Sequence, residues 1–242
     1  MSVNRAKAGN MYPGWDTWNV LSGCLHECEY CYAYDLYSRF GLSTAPEFRE
    51  SYLKDNLGQG RYIFISSMGD IGGSWVDPEQ VKLVLAHCRK FDNTYLLQSK
   101  NPTNLARYIP YLPERTVIGT TLETNRDTSR ISKAPWPSLR VMGMMFLQKQ
   151  LSQGRMPPKA NLMISIEPIL DFDSELIHWI RFIQPEYVSI GADSKGHGLD
   201  EPCLAKINNL IYCLKDVTQV RLKPNLKRLL PEHDLYEKEV EG

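Results

Sequence analysis

Three cysteines lie close together at a spacing that could hold an inorganic cofactor. Residues 23–32 read Gly-Cys-Leu-His-Glu-Cys-Glu-Tyr-Cys-Tyr, which places Cys24, Cys28 and Cys31 in a C-x3-C-x2-C pattern. Soft thiolates favour zinc or iron–sulfur clusters. Structural zinc takes four ligands, usually from paired spacings, and here only His26 could add a fourth, from a cramped loop. Three thiolates suit a [4Fe–4S] cluster whose open iron can bind a substrate or cofactor.

The other cysteines give no second cluster. Cys88, Cys203 and Cys213 are far apart and have no CxxC partner. Cys88 falls on a helical apolar stripe and is interpreted as part of the core. A secreted disulfide framework would spread paired cysteines along a short chain. Clustered thiols therefore indicate a metal in a reducing compartment.

The composition is that of a soluble globular protein. The 242 residues are 43% hydrophobic and 23% charged, and 28 basic residues balance 28 acidic ones. Zero net charge gives no sign of a large phosphate-binding surface. No apolar run is long enough for a membrane span, and no secretory signal is expected. The sequence thus predicts a single cytoplasmic domain over 1–242, with a core at about 15–222 and an acidic tail at 231–242.

Short β-rich runs alternate with helical runs along the chain. Several strand candidates are unbroken apolar or β-branched stretches, as in strands buried on both faces of a parallel sheet. About six repeats predict an α/β fold with right-handed crossovers, either a partial barrel or an open sheet. The candidates are Trp18–Leu21, Tyr62–Ser66, Tyr95–Gln98, Thr116–Thr120, Leu162–Ile166, Tyr187–Ile190 and, more weakly, Gln219–Leu222.

Helix-start signals fit between the strands. Asp77 and Pro78 read as an N-cap and first helical residue, and Asn101-Pro102 repeats that pattern. Asp173 or Ser174 could cap a third helix, and Pro202 could open a fourth. A late basic stretch, Arg221, Lys223, Lys227 and Arg228, is interpreted as a solvated face rather than a nucleic-acid contact.

Polar clusters directly follow five of the candidate strands. Because ligands bind at the carboxyl ends of strands in such folds, these clusters are expected to converge on one site. They are Ser66 to Asp70, Ser99 to Asn101, Thr120 to Glu123, Glu167 and Asp193.

These motifs together resemble the radical S-adenosylmethionine superfamily. C-x3-C-x2-C with an aromatic residue before the third cysteine is similar to its signature. The resemblance spans about residues 15 to 195 and is nearest to a phage and bacterial family distantly similar to spore photoproduct lyase. It rests on Trp18-Asn19-Val20, the cysteine loop, Ser67-Met68-Gly69-Asp70, Ser99-Lys100-Asn101-Pro102, Gly119-Thr120-Thr121-Leu122-Glu123, Ser165-Ile166-Glu167-Pro168 and Gly191-Ala192-Asp193.

The resemblance implies a fold, two cofactors and residue roles. The fold would be a partial (β/α)6 barrel of parallel strands with outer helices. A [4Fe–4S] cluster on the three cysteines would cleave S-adenosylmethionine. Tyr30 would lie near the adenine, Asp70 would bind the methionine amino group, and Lys100 its carboxylate. Asp70 stands where the superfamily usually has glutamate. The other implied contacts are Ser67, Thr121, Glu123 and Glu167 for the cofactor, and Asp193 and His197 for substrate.

The substrate is predicted only as a class. The resemblance suggests a pyrimidine base or nucleotide, perhaps in phage-type DNA modification, with a flavodoxin- or ferredoxin-like electron donor. Glu167 could instead serve as an ion-pair partner, and Lys100 could end a strand in solvent. Two other functions stay open: a zinc-stabilised binding module, and an iron–sulfur electron carrier or sensor. Neither needs the ordered polar clusters at the strand ends.

Overall fold

The computed structural model describes residues 3–6, 12, 14–128 and 130–234 of the chain; most of the predicted acidic tail, residues 235–242, lies outside them. Strands and helices alternate through most of that range. The strands are β1 (Val3–Asn4), β2 (Asp16–Trp18), β3 (Leu21–Ser22), β4 (Glu47–Phe48), β5 (Tyr62–Ile65), β6 (Thr94–Gln98), β7 (Thr116–Thr121), β8 (Asn161–Ile166), β9 (Tyr187–Ile190) and β10 (Gln219–Leu222).

Eight of these strands form one sheet, in the order β1-β2-β5-β6-β7-β8-β9-β10. β2 and β5 to β10 pair in parallel, and β1 pairs antiparallel with β2 at one edge. β1 and β10 lie at opposite edges, so the sheet is open. The predicted fold class, an α/β partial barrel with outer helices, is confirmed, and the weakly predicted seventh run is a full member of the sheet.

Both faces of the sheet are covered. Alternate residues along a strand point to opposite faces, and they divide here between two apolar clusters. One cluster joins Phe64, Leu96, Val117, Met163 and Tyr187 to the N-terminal Tyr12 and Trp15. The larger cluster joins the other face of the same strands to the helices. This burial explains why the strands read as unbroken apolar runs.

The helices begin largely where the sequence indicates. They are α1 (Tyr32–Phe40), α2 (Pro78–Cys88), α3 (Pro102–Leu105), α4 (Pro137–Ser152), α5 (Ser174–Ile183) and α6 (Leu204–Leu214). Asp77 and Asp173 accept hydrogen bonds from the amides of Glu79 and Glu175, which confirms both caps. Cys88 is fully buried in the core, as predicted.

Two local expectations are wrong, one helix start is confirmed, and one helix was missed. The run Trp18–Leu21 is not one strand: β2 ends at Trp18, and Leu21 pairs with Phe48 of β4. The helix predicted to start at Asn101-Pro102 does so, but it makes a single α turn and continues as a 3₁₀ helix, Ala106–Tyr111. α6 begins at Leu204 rather than at Pro202. α4 was not anticipated, because its exposed side carries Leu139, Met142 and Phe146, so no amphipathic stripe marks it.

Gly23, the residue before the first cysteine, is held by close backbone contact. Its φ is +77°, and a Cβ there would lie 2.2 Å from the carbonyl oxygen of Ala45. Gly41 also has a positive φ, +62°, but a Cβ there would meet nothing within 4 Å. Gly23→Ala is therefore expected to lower the free energy of unfolding by about 1–3 kcal/mol more than Gly41→Ala. Urea unfolding of the two variants measures this, and equal losses would contradict it.

No helix in the described part of the chain is both long and apolar enough to cross a membrane.

Candidate active site

The three cysteines lie on the loop between β3 and α1. The Cys31 amide donates to the Cys28 carbonyl at 3.1 Å, and Cys31 is the N-cap residue of α1. The root of the loop is tied to the end of β5, where the Gly23 amide donates to the Met68 carbonyl at 3.0 Å. Cys28 is buried, and its Sγ lies 3.1 Å from the hydroxyl oxygen of Ser132. All three thiols are free.

The surroundings of Cys24 and Cys31 favour the protonated form of their thiols. Burial raises the pKa of Cys24 to about 12, and the negative charge of Asp70 adds to the effect. Burial likewise raises the pKa of Cys31, with a contribution from the nearby Cys28. Protonated thiols are weak nucleophiles, whereas a bound metal centre holds its thiols deprotonated. This environment suits ligation better than thiol catalysis.

The donor set fits an iron–sulfur group. Three soft thiols share one loop, where Cys28 and Cys31 both raise the pKa of Cys24 and Cys28 raises that of Cys31. Within residues 3–6, 12, 14–128 and 130–234, no three His, Cys, Asp or Glu side chains are grouped so as to hold a single metal ion. His26, the fourth ligand of the zinc alternative, has its Nε2 bonded to Asp70.

Asp70 receives three hydrogen bonds from the chain itself. Its Oδ2 accepts from His26 Nε2 at 2.8 Å and from the Lys100 amide at 2.9 Å, and its Oδ1 accepts from the Gly72 amide at 2.9 Å. Burial alone would raise the pKa of Asp70, but hydrogen bonding and the nearby His26 outweigh it and hold that pKa below its ordinary value. Asp70 is therefore a buried carboxylate whose two oxygens both have partners.

Beside the cysteine loop lies a buried cluster of charged side chains. Lys100 Nζ donates to Tyr30 Oη at 2.7 Å and to Glu123 Oε1 at 2.5 Å. Tyr30 also donates to Glu123 Oε1. Arg140 donates to Glu123 Oε2 at 2.7 Å and to the Thr121 carbonyl at 3.0 Å. The side chains of Glu123 and Arg140 are 1% and 3% exposed, so the two charges compensate each other away from water.

Lys100 has an unusual ionisation. Burial lowers its pKa to about 8, with a further lowering from the charge of Arg140 that is partly offset by Cys28, Cys31 and Asp70. The Lys100 side chain is 14% exposed, so an anionic ligand could reach it from the carboxyl edge of the sheet, the mouth of the site. An ammonium on the edge of a buried cluster can bind a carboxylate as a point charge.

Lys100 is expected to make folding more favourable as the pH rises from about 8. Above that pH the folded Lys100 releases its proton, whereas the unfolded lysine keeps it up to its ordinary pKa of 10.5, so the unfolded state binds more protons and stability increases. Between pH 7 and pH 10, the unfolding free energy of the wild type should gain roughly 2–3 kcal/mol relative to Lys100→Met. Urea titrations under reducing conditions measure the difference, and a constant difference would contradict the assignment.

A chain of polar contacts crosses the carboxyl edge of the sheet. Gln98 donates to the Thr121 hydroxyl at 3.1 Å, and Tyr12 donates to Gln98 at 2.6 Å. The ammonium of Lys223 lies 4.3 Å from the centroid of the Tyr12 ring and donates to Glu167. The predicted residues Thr121 and Glu167, on β7 and just past β8, are thus linked through side chains that the sequence analysis did not select.

Glu167 is engaged in an ion pair. Besides Lys223 it accepts from Asn225 Nδ2 at 2.7 Å. Gly191 makes room for both, since a Cβ there would lie 2.6 Å from Glu167 Oε1 and 2.9 Å from Asn225 Oδ1. Lys223 is buried, so the interpretation of residues 221–228 as a solvated face is wrong at this position.

The two proposed substrate residues form a pair of their own. His197 Nδ1 lies 2.6 Å from Asp193 Oδ1, and the Asp193 amide donates to Glu201 at 3.0 Å. Arg228 in turn donates to Glu201 and to the Asp193 carbonyl. Burial raises the pKa of Asp193, but its bonds from His197 outweigh this and lower it.

The predicted residues therefore fall into two groups. Tyr30, Lys100 and Glu123 are in direct contact, and Asp70 joins them through the Lys100 amide. Ser67 lies beside them: its hydroxyl donates to Asn19, and its carbonyl accepts from Tyr32. Glu167, Asp193 and His197 lie toward β8, β9 and β10.

Sequence reasoning missed Arg140, Tyr12, Gln98, Lys223 and Asn225. The rule that polar residues follow strands would have selected two of them, because Gln98 ends β6 and Lys223 follows β10. Arg140 lies within α4, a helix without an apolar stripe in its sequence. Only the burial of Arg140 beside Glu123 identifies it as a residue of the site.

Comparison with known proteins relates the fold to one group of solved structures. No family model matches the sequence, and no curated protein matches it. Spore photoproduct lyase complexed with dinucleoside spore photoproduct superposes with a TM-score of 0.55 and 10% identity, covering 87% of this chain and 64% of that one. The chain is similar in fold to spore photoproduct lyase. A double mutant of that lyase with bound AdoMet and dinucleoside spore photoproduct gives a TM-score of 0.50 and 11% identity, covering 95% and 65%.

The similarity confirms, at the level of the fold, the expected resemblance to spore photoproduct lyase. At 10% to 12% identity it concerns the fold alone. The chain spans slightly less than two thirds of the length of each lyase structure.

Proposed function

We propose that the chain is a radical S-adenosylmethionine enzyme acting on a pyrimidine base or nucleotide. The observation that carries the proposal is the placement of three free thiols, one buried and two partly buried, on one loop beside the Lys100–Tyr30–Glu123–Arg140 cluster. That placement is at the carboxyl edge of a sheet with the fold of spore photoproduct lyase.

The cofactor would be held by residues of two elements. Cys24, Cys28 and Cys31 would hold a [4Fe–4S] cluster. Bound there and reduced by a flavodoxin- or ferredoxin-like donor, such a cluster would supply the one electron that cleaves S-adenosylmethionine into methionine and a 5′-deoxyadenosyl radical. Lys100, which forms a salt bridge with Glu123, would pair with the methionine carboxylate, and Tyr30 would lie against the adenine.

The chain's other residues position and shield the reactants. Arg140 holds Glu123 by a hydrogen bond, and Glu123 holds Lys100 in the same way. The Lys100 ammonium is therefore positioned before a ligand binds. Such preorganisation lowers the entropic barrier to reaction. Tyr12, Lys223 and Glu167 are in contact on the β8–β10 side, where they would limit access of water to the reactants. The paired Asp193 and His197 would contact the base.

The neighbouring structures and the charge of the chain support the proposed substrate class. Lyase structures hold a dinucleoside photoproduct, which supports a pyrimidine substrate here. The zero net charge favours a nucleotide or a short strand over a long phosphate contact.

The test is anaerobic production of 5′-deoxyadenosine. The protein is reconstituted with iron and sulfide, reduced with dithionite and given S-adenosylmethionine, with and without thymidine dinucleotides or their photoproducts. Mass spectrometry should find deoxyadenosine with the wild type and none with Cys28→Ala. A pyrimidine substrate should increase its rate. A cluster that never cleaves S-adenosylmethionine under any of these conditions would instead indicate an electron carrier, and stoichiometric zinc without iron would indicate a binding module.

A further inference from the structure

We propose that His26 and Asp70 form a latch that holds the cysteine loop closed, with Asp70 acting as a positioning residue rather than as the ligand of the methionine amino group. This inference deepens the proposed function and rests on it for the identity of the cluster. The latch itself is a property of the polypeptide.

The pairing is direct and buried. His26 Nε2 lies 2.8 Å from Asp70 Oδ2, and the two side chains are each 6% exposed. His26 lies between Cys24 and Cys28 in the chain, while Asp70 follows β5. One hydrogen bond therefore connects the middle of the cysteine loop to the edge of the sheet. A hydrogen bond to a charged group is stronger than a neutral one.

Asp70 has little capacity left for a ligand. The chain already supplies it with donors from His26 and from the amides of Gly72 and Lys100. The hydrogen bond from the Lys100 amide fixes the Asp70 carboxylate in relation to β6, because Lys100 lies just after the end of that strand. Aspartate is also one methylene shorter than the glutamate usual at this position, so it reaches less far into the mouth. The hydrogen bonds of Asp70 therefore suit a residue that fixes a loop in position.

The histidine is oriented from its other side. The Trp75 ring meets the His26 ring edge to face, with centroids 4.8 Å apart. Trp75 and Asp70 lie on the same loop. This loop therefore contacts the His26 ring at two points. The Lys133 amide further ties the loop by donating to the His26 carbonyl at 2.7 Å. These contacts select one position of His26, and with it one position of the two flanking thiols.

Breaking the latch should loosen the thiols without removing any ligand. Loss of a charge-assisted hydrogen bond corresponds to about a tenfold to hundredfold rise in loop opening. In the apoprotein, His26→Leu and Asp70→Asn should each speed alkylation of Cys28 by about that factor. In the reconstituted protein, both should speed iron release to a ferrous chelator by about 10- to 100-fold. At equal cluster occupancy, the affinity for S-adenosylmethionine should stay within about twofold of the wild type.

Three controls separate the latch from general damage. His26→Gln places an amide donor near the position of Nε2 and should restore most of the slow alkylation. His87 is a buried histidine on α2 whose Nε2 lies 2.9 Å from the Asp55 carbonyl oxygen, so His87→Leu tests the loss of a histidine elsewhere. It should not change Cys28 alkylation. The double variant His26→Leu/Asp70→Asn should be no worse than His26→Leu alone, because His26→Leu removes the bond that Asp70→Asn weakens by removing its charge.

Each outcome decides the proposal. It is overturned if Asp70→Asn weakens S-adenosylmethionine binding tenfold or more while iron release and alkylation match the wild type, since Asp70 would then be the amino-group ligand. It is also overturned if His26→Leu leaves apoprotein alkylation unchanged. If the wild type assembles no cluster, the proposed function fails, and the alkylation rates of the apoprotein still decide the latch.

Discussion

Alanine at Cys24, Cys28 or Cys31 is expected to abolish iron–sulfur assembly, whereas alanine at Cys203 or Cys213 is expected to leave it intact. A three-thiolate site that loses one ligand retains too few to hold the cluster. Cys203 is exposed at the start of α6 and Cys213 is half-buried near its end, away from the cysteine loop in the chain. Iron and sulfide content and visible absorbance after anaerobic reconstitution measure the difference.

The matched variants make this result specific. All five substitutions remove a thiol, so a loss confined to the loop cysteines cannot reflect oxidation of the sample or a general need for thiols. Circular dichroism of the apoproteins should be unchanged, since none of these residues lies inside the large apolar cluster and only Cys213 packs against its edge. Assembly that survives in a loop variant, or that fails equally in Cys203→Ala, would refute the assignment.

Glu123→Gln is expected to lower the free energy of unfolding by about 3–5 kcal/mol. Glu123 is the common partner of Lys100, Tyr30 and Arg140. A neutral amide at this position would leave the guanidinium of Arg140 buried without a counter-ion, and the desolvation of that charge would no longer be compensated. Urea unfolding of the apoprotein at pH 7 measures the loss.

A surface ion pair provides the control. Glu79 on α2 accepts from Lys82 at 2.7 Å, and its side chain is 71% exposed. Glu79→Gln should change the unfolding free energy by about 1 kcal/mol or less. If the two glutamine variants are equally stable, the buried cluster contributes nothing beyond a surface pair, and its proposed role in aiming Lys100 loses its basis.

The sheet could be predicted well from the sequence because its strands are buried on both faces. β5 to β10 lie within one or two residues of the predicted runs. The exception, Trp18–Leu21, is an apolar run shared between two sheets. Asn19 interrupts it by accepting from the Met68 amide and the Ser67 hydroxyl, and this tertiary contact has no local signal.

The site could be predicted only in part. Tyr30, Lys100 and Glu123 were each selected because they follow a strand or lie in the cysteine motif, and they are in contact. Their counter-ion, Arg140, comes from a helix with apolar residues on its exposed side. In the sequence, Lys223 looks like the other basic residues near it. It is buried because its ammonium is paired with Glu167, 56 residues earlier in the chain. Pairings at such separations depend on the folded chain.

The strand order of the sheet also bears on how the protein is made. From β6 to β10 each strand pairs with the one synthesised just before it, so the sheet can grow by one strand at a time as the chain leaves the ribosome. The cysteine loop emerges first, and Asp70, Lys100 and Glu123 follow at intervals of about one strand and one connection. We therefore expect insertion of the proposed cluster in the cell to wait until β7 has joined the sheet.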